Sequence, residues 1–176
     1  MNHAASLDLV RQAKHGDESA FTTLLRPLLE AAFRLAVGML QDRQLAEDAV
    51  QEAAMKAWRK LDQLREDSDV RPWFLGIVAN EARTTRRGSW WRVVKGGTER
   101  RQQQASEEAV VEGIDVRNAL RRLSSDQRLV IVLYFYLDLP LEQIAIITGS
   151  SYAAARGRLY RGLRRLRADF PIPEAS

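Results

Sequence analysis

Apolar residues recur at helical spacing along nearly the whole chain, and no clear two-residue alternation bounded by turn residues appears anywhere. Phe21, Leu24, Leu25, Leu28, Leu29, Ala32, Leu35 and Met39 form the widest of these stripes. A chain patterned this way has helix faces to bury and no sheet to bury them on. The expected fold class is therefore all-α.

Punctuation divides the pattern. Leu7 to about Lys14 predicts a first helix that stops at Gly16, a residue suited to a C-cap. Asp17 can cap the next helix, and Pro27 inside its stripe predicts a kink or a fresh helix start. Asp42 opens a third helix from Arg43 to about Leu61. A polar loop from Leu64 to Pro72 leads to a fourth, Trp73 to about Arg87, with Gly88 as its stop. The texture then changes. "GSWWRVVKGGTERRQQQASEEA" holds three of the ten glycines, a glutamine run and clustered charge with weak periodicity, which reads as a flexible linker of about 20 residues. Helices follow at Val111–Leu123, Ser125–Leu137 and Leu141–Ile147, and then, after a turn at "TGSS", from Tyr152 to about Phe170. The organisation expected is two small helical domains, residues 1–90 and 111–170, with a linker at 91–110 and a tail at 171–176.

With no cysteine in 176 residues, disulfides, thiolate metal sites and cysteine nucleophiles are excluded, and a reducing, cytoplasmic setting is the natural expectation. Two histidines, His3 and His15, are too few for a histidine-rich metal site. The longest apolar run, Leu129–Leu137, is about half of the ~20 residues a membrane span needs, so it reads as a buried core helix. The start of the chain lacks the basic-then-apolar pattern of a secretion signal. No metal, cofactor or membrane insertion is expected. The net charge of +4 is mild, so what matters is where the charge sits.

It sits most densely in "GSSYAAARGRLYRGLRRLR", Gly149–Arg167, with six arginines and no acidic residue. Three readings compete. A solvated helix face usually interleaves glutamate for pairing one turn away, and none occurs from Gln143 to Ala168. A membrane-lying helix needs a broad bulky apolar face, whereas Ala155, Leu159, Leu163 and Leu166 make only a narrow stripe. A helix-turn-helix fits better: Ala145 permits a close crossing, Gly149 the turn, and Ser150 or Ser151 a cap. Small residues at the start of the second helix then let its backbone approach a major groove, with arginines for phosphates and guanine edges.

Two features of the N-terminal half go beyond scaffolding. Glu47, Asp48, Gln51 and Glu52 share one side of an otherwise apolar helix. That patch is a solvated face or a contact for a basic partner; carboxylate catalysis or metal binding lacks the residues to complete a site. "RPWFLGIVANEARTTRRGSWWRVVK" interleaves Trp73, Phe74, Trp90 and Trp91 with Arg83, Arg86, Arg87, Arg92 and Lys95. Trp73, Ile77 and Val78 suit a core. The helix dipole accounts for one or two basic residues at a C-terminal end. Five, with flanking aromatics, suit a surface that follows a phosphate backbone and holds unstacked bases.

Together these segments resemble the RNA polymerase sigma factors of the bacterial sigma-70 family, extracytoplasmic-function (ECF) group. "AEDAVQEAAMKAW" is similar to region 2.2, "VRPWFLGIVANEARTTRR" to regions 2.3–2.4, and "LEQIAIITGSSYAAARGRLYRGLRRLR" to region 4.2. The resemblance implies a sigma-2 and a sigma-4 domain with no region 3 between them. It implies a transcription initiation factor that binds core RNA polymerase and has no enzymatic activity of its own. Glu47, Asp48, Gln51 and Glu52 would dock on the clamp helices of the β′ subunit, and the β flap would be a second polymerase contact. Leu64, Arg65, Arg71 and Asn80 would capture an unstacked base of the −10 element, with Arg83, Arg86 and Arg87 on nearby backbone. Tyr152, Ala153, Ala154, Arg156, Gly157, Tyr160 and Arg161 would face the −35 element. The linker would thread towards the polymerase active-site cleft. A separate anti-sigma factor is the implied regulator.

The chain also departs from the family pattern. Thr84 stands where aspartate is frequent, Ala153–Ala155 replace Gly-Thr-Val, and Gly157 replaces serine. Lost hydroxyls mean lost phosphate or base hydrogen bonds, so the −35 preference is expected to differ. Gly157 and Gly162 each weaken their helix by about 1 kcal/mol relative to alanine. The rival readings are a helix-turn-helix repressor that binds DNA alone, with no role for the acidic face, and an interaction protein whose basic helix binds an acidic protein.

Overall fold

The computed structural model describes residues 3–65, 68–94 and 111–169, with side chains for 6–65, 68–88 and 116–168. Of the linker expected at 91–110, residues 95–110 lie outside these, as do residues 66–67 of the polar loop, the tail and the side chains of Trp90, Trp91 and Arg92. Every regular element among the described residues is helical.

Helices α1 (His3–Lys14) and α2 (Glu18–Leu25) meet at Gly16, whose φ of +93° is one glycine adopts freely. Asp17 caps α2 by accepting from the backbone N–H of Ser19 and Ala20; the Ser19 hydroxyl's hydrogen bond first, and these backbone bonds after it, hold its carboxyl below the usual carboxylate range. Pro27 sits in a single 3-10 turn, Arg26–Leu28, and α3 (Leu29–Leu40) restarts beyond it. This is the expected break in the long stripe. Asp42 caps α4 (Arg43–Arg59) through Leu45 N–H, and a short 3-10 turn follows at Leu61–Gln63.

Helix α5 spans Val70–Val94, longer at both ends than its sequence suggests. It begins earlier because Asp69 accepts from Arg71 N–H, while Pro72 lies in the first turn, where a missing N–H breaks no helical bond. It passes through Gly88 instead of stopping there, since a glycine with helical neighbours costs only about 1 kcal/mol.

The second group holds α6 (Val111–Arg122), α7 (Ser125–Ile131), α8 (Leu141–Thr148) and α9 (Tyr152–Asp169). Ser124 and Gln127 close a reciprocal capping box at the start of α7. The helix expected to run to Leu137 ends instead in a π-helical turn, Val132–Tyr136, in which Leu137 N–H donates to the Val132 carbonyl at 3.1 Å. The wider turn leaves Tyr134, Phe135 and Tyr136 exposed while Leu133 and Leu137 are buried. Gly149 takes the left-handed conformation (φ 60°) between α8 and α9, and Ser151 Oγ accepts from Ala154 N–H as the cap of α9.

The two groups share one apolar cluster. α3, α4 and α5 pack mutually around Leu35, Met39, Phe74 and Val78, and α7, α8 and α9 around Leu129, Leu133, Ile144 and Ala155. Helix α8 lies against α5, and the π turn against α3. At these crossings Ile147 O is 3.3 Å from where a Cβ on Gly76 would stand, and Val132 Cγ1 is 2.7 Å from one on Gly38. Neither place admits a larger residue without movement.

Candidate nucleic-acid interface

The residues expected to face the −35 element lie on α9. Ala155 and Leu159 face the core, which leaves Tyr152, Ala153, Arg156, Tyr160 and Arg161 exposed on the other side, with Ala154 and Gly157 half-buried beside them. The exposed set follows from helical spacing once the apolar stripe is anchored. Arg156 stacks over the Tyr160 ring, its guanidinium carbon 5.6 Å from the centroid. Arg161 folds back over Gly157, with Nη1 3.2 Å from where a Cβ there would stand. The two arginines thus lie along the helix surface, one on an aromatic ring and one on a glycine. Gly162 faces inward, where a Cβ would stand 2.7 Å from Ile131 Cδ1.

A second surface lies along α5. A groove of about 580 Å³ is lined by Leu64, Arg65, Trp73, Ile77 and Asn80, among others, and its remaining wall is Ile146 and Ile147 of α8. Asn80 is exposed and Arg71 half-buried at the groove's loop side. One turn beyond Asn80, Arg83 is half-buried and its Nη2 donates to Asp126 Oδ1 of α7 at 2.6 Å. Arg86 is half-buried as well, and its pKa is lowered first by burial and then by the charge of Arg121. Arg87 is exposed. Of the expected −10 residues, Leu64 and Arg65 stand before α5, Arg71 lies in its first turn, and Asn80, Arg83 and Arg87 recur along it, with Arg83 already engaged by the second group of helices.

The acidic face on α4 is where the spacing puts it. Glu47, Asp48 and Gln51 are exposed and Glu52 is half-buried. Glu52 lies 3.6 Å from Lys56 Nζ and 3.3 Å from Arg59 Nη2, and Glu47 pairs with Arg43 at 3.1 Å. Such half-exposed pairs are individually weak, so a partner's cations can displace them. No group of histidine, cysteine and carboxylate side chains among the described residues could hold a metal ion. None of the helices is long and apolar enough to cross a membrane among those residues.

Sequence reasoning missed the residues that join the two groups. Arg128 is fully buried; its Nε donates to Leu120 O at 2.7 Å and its Nη1 to Met39 O at 3.0 Å. Burial first, then the charges of Arg86 and Arg121, push its pKa down to about 10. Gln41, at a left-handed φ of 56°, donates to Arg117 O and accepts from Arg121 Nε, both at 2.9 Å. Arg34 donates to the Tyr136 carbonyl and stacks over that residue's ring. Asp126 also lies 3.8 Å from Arg158 of α9. None of these pairings has a local sequence signal: all but Arg128–Leu120, eight positions apart, join residues tens of positions apart.

Comparison with known proteins gives consistent matches. Residues 22–92 match the model of Sigma-70 region 2, and residues 114–166 that of Sigma-70, region 4. The RNA polymerase sigma factor SigV of Bacillus subtilis is 31% identical over 144 residues, covering 82% of this chain and 87% of that protein. The ECF RNA polymerase sigma factor SigL of Mycobacterium tuberculosis is 28% identical over 162 residues, covering 86% and 92%. Among solved structures, the sigma factor RpoE in complex with the anti-sigma factor NepR from Bartonella quintana superposes with a TM-score of 0.69 at 27% identity, over 88% of this chain and 98% of that one. CnrH in complex with the cytosolic domain of CnrY also gives a TM-score of 0.69, at 25% identity over 93% and 96%.

Proposed function

Because this chain belongs to the sigma-70 family of RNA polymerase sigma factors, in the ECF group, we propose that its described surfaces divide the work of promoter selection between them. The first helical unit, residues 1–90, docks on the β′ clamp helices through Glu47, Asp48, Gln51 and Glu52. It captures an unstacked base of the −10 element with Leu64, Arg65, Arg71 and Asn80, of which Leu64, Arg65 and Asn80 line the groove. Arg83, Arg86 and Arg87 hold adjacent phosphates. The second unit, residues 111–170, reads the −35 duplex with Tyr152, Ala153, Ala154, Arg156, Gly157, Tyr160 and Arg161. Its exposed aromatics Tyr134 and Phe135 suit an apolar contact such as the β flap.

The protein has no chemistry of its own in this reading; core polymerase supplies it, in the cytoplasm. Base capture costs a few kcal/mol of unstacking, which contacts to polymerase and phosphate must offset. An anti-sigma factor, like the one that binds the Bartonella relative, is the proposed regulator.

One observation carries the reading: an exposed acidic helix face and an exposed basic recognition helix occur on the same chain. A DNA-binding repressor needs only the second. Transcription reconstituted with purified core polymerase tests it. Asp48→Ala and Glu52→Ala are expected to weaken core binding, and a chain that binds operator DNA tightly but never core would favour the repressor.

A further inference from the structure

Leu64 and Arg65 reach the groove beside Asn80 from the loop that joins the 3-10 turn Leu61–Gln63 to α5. The far end of that loop is tied locally, by Asp69 accepting from Arg71 N–H at 2.9 Å. The near end is tied from another part of the chain. At Leu64 the backbone turns extended (φ −72°, ψ 121°), and its carbonyl accepts from Lys14 Nζ of α1 at 2.5 Å, across 50 positions of sequence.

We propose that Lys14 is a positioning residue for −10 base capture: the last residue of α1 holds the Leu64 peptide and so aims Arg65 at the unstacked base. The inference rests on the function proposed above. Lys14 stands on a firm footing, because Val10 and Ala13 of the same helix are each 2% exposed in the core. Its hydrogen bond is charge-assisted, and Lys14 is half-buried, where water competes less for the ammonium. Leu64 is itself 2% exposed, whereas the next residue, Arg65, is exposed. What Leu64 offers the groove is therefore a fixed point from which the Arg65 side chain departs. A loop group recognises its ligand well only when supporting contacts hold it in place. Lys14 walls a separate cavity of about 190 Å³ with Trp58, Leu61 and Asp62, so it acts on DNA through Leu64 and not by touching the captured base.

The wild-type chain bound to core polymerase first selects a −10 single strand from a random pool. Abasic replacement at each position in turn then finds the captured base. Lys14→Met keeps the apolar stem and loses the donor; it is expected to shrink the preference for the intact over the abasic strand by about tenfold. Lys14→Arg, which can still donate, should restore most of it. Lys14→Gln, a shorter and neutral donor, should fall between them, and it carries the test if Lys14→Met does not fold. Core binding, −35 duplex binding and the salt slope of strand binding should all match wild type, since no phosphate contact is removed. Full base preference in a folded Lys14→Met or Lys14→Gln chain overturns the proposal. So does an equal loss on intact and abasic strands with a shallower salt slope, which would make Lys14 a direct phosphate contact. A wild-type complex indifferent to every abasic replacement overturns base capture itself, and this role with it.

Discussion

Arg128 Nη1 donates to the backbone carbonyl of Met39 at 3.0 Å, joining α7 to the end of α3 across 89 positions of sequence. The same guanidinium holds Leu120 O, so one side chain fixes three helices. Arg128→Ala removes the side-chain donor from the buried Met39 carbonyl, leaves Leu120 O to Leu123 N–H, opens a cavity, and is expected to cost about 3 kcal/mol in denaturant unfolding. Arg128→Met refills most of the volume and should cost less. Because the folded pKa of about 10 and the still higher ordinary arginine value both lie far above neutrality, Arg128 carries its proton in both states below about pH 9. The depression is then a constant cost, and the penalty should not vary with pH there.

Gly162→Ala tests packing against propensity. Alanine gains about 1 kcal/mol of helix propensity, but its Cβ would stand 2.7 Å from Ile131 Cδ1, and overpacking costs about 1–3 kcal/mol. Net destabilisation is expected by thermal unfolding. Adding Ile131→Val, which removes the colliding methyl, should restore much of it.

Lys56 and Glu81 give a signed pH dependence. Glu81 is nearly buried on α5, and Lys56 on α4 donates to it at 2.8 Å. The hydrogen bond to Glu81 is the main cause that raises the lysine pKa above 10.5, with desolvation opposing it. A raised folded pKa means the pair's contribution is fully present below pH 10.5 and is lost as pH rises through the higher folded value. The melting-temperature gap between wild type and Lys56→Met should therefore hold through neutral pH and shrink only above 10.5.

On DNA, Arg161→Ala is expected to weaken −35 duplex binding by about 1–3 kcal/mol, read by fluorescence anisotropy. Gly157→Ser restores the family residue but displaces Arg161 Nη1 from its seat. It should change which −35 sequence binds best more than it changes salt dependence.

Local chemistry made much of this fold legible. Asp17 and Asp42 cap helices, Gly16 and Gly149 adopt left-handed turns, and Pro27 breaks a long stripe, each because a short-range interaction decides the backbone. Residue spacing also put the acidic set on one face of α4 and kept Arg156 and Arg161 off the apolar stripe of α9. The stop expected at Gly88 did not occur, because neighbouring residues outweigh one weak helix former. The π turn at Val132–Tyr136 inserts one residue to bring Leu137 and Leu139 into the core, a demand that exists only once the partner helices are in place. The junction contacts of Gln41, Asp126 and Arg128 were illegible for the same reason.

Gln41 carries one more consequence. Its left-handed φ is one that glycine would adopt at less cost, yet only an amide side chain reaches both Arg117 and Arg121 from there. Selection for a stable helix end and selection for a joined molecule therefore pull on this position in opposite directions. A lineage drifting to glycine at 41 would relieve the strained end of α3 and lose both bonds to α6, trading a local gain for a looser joint.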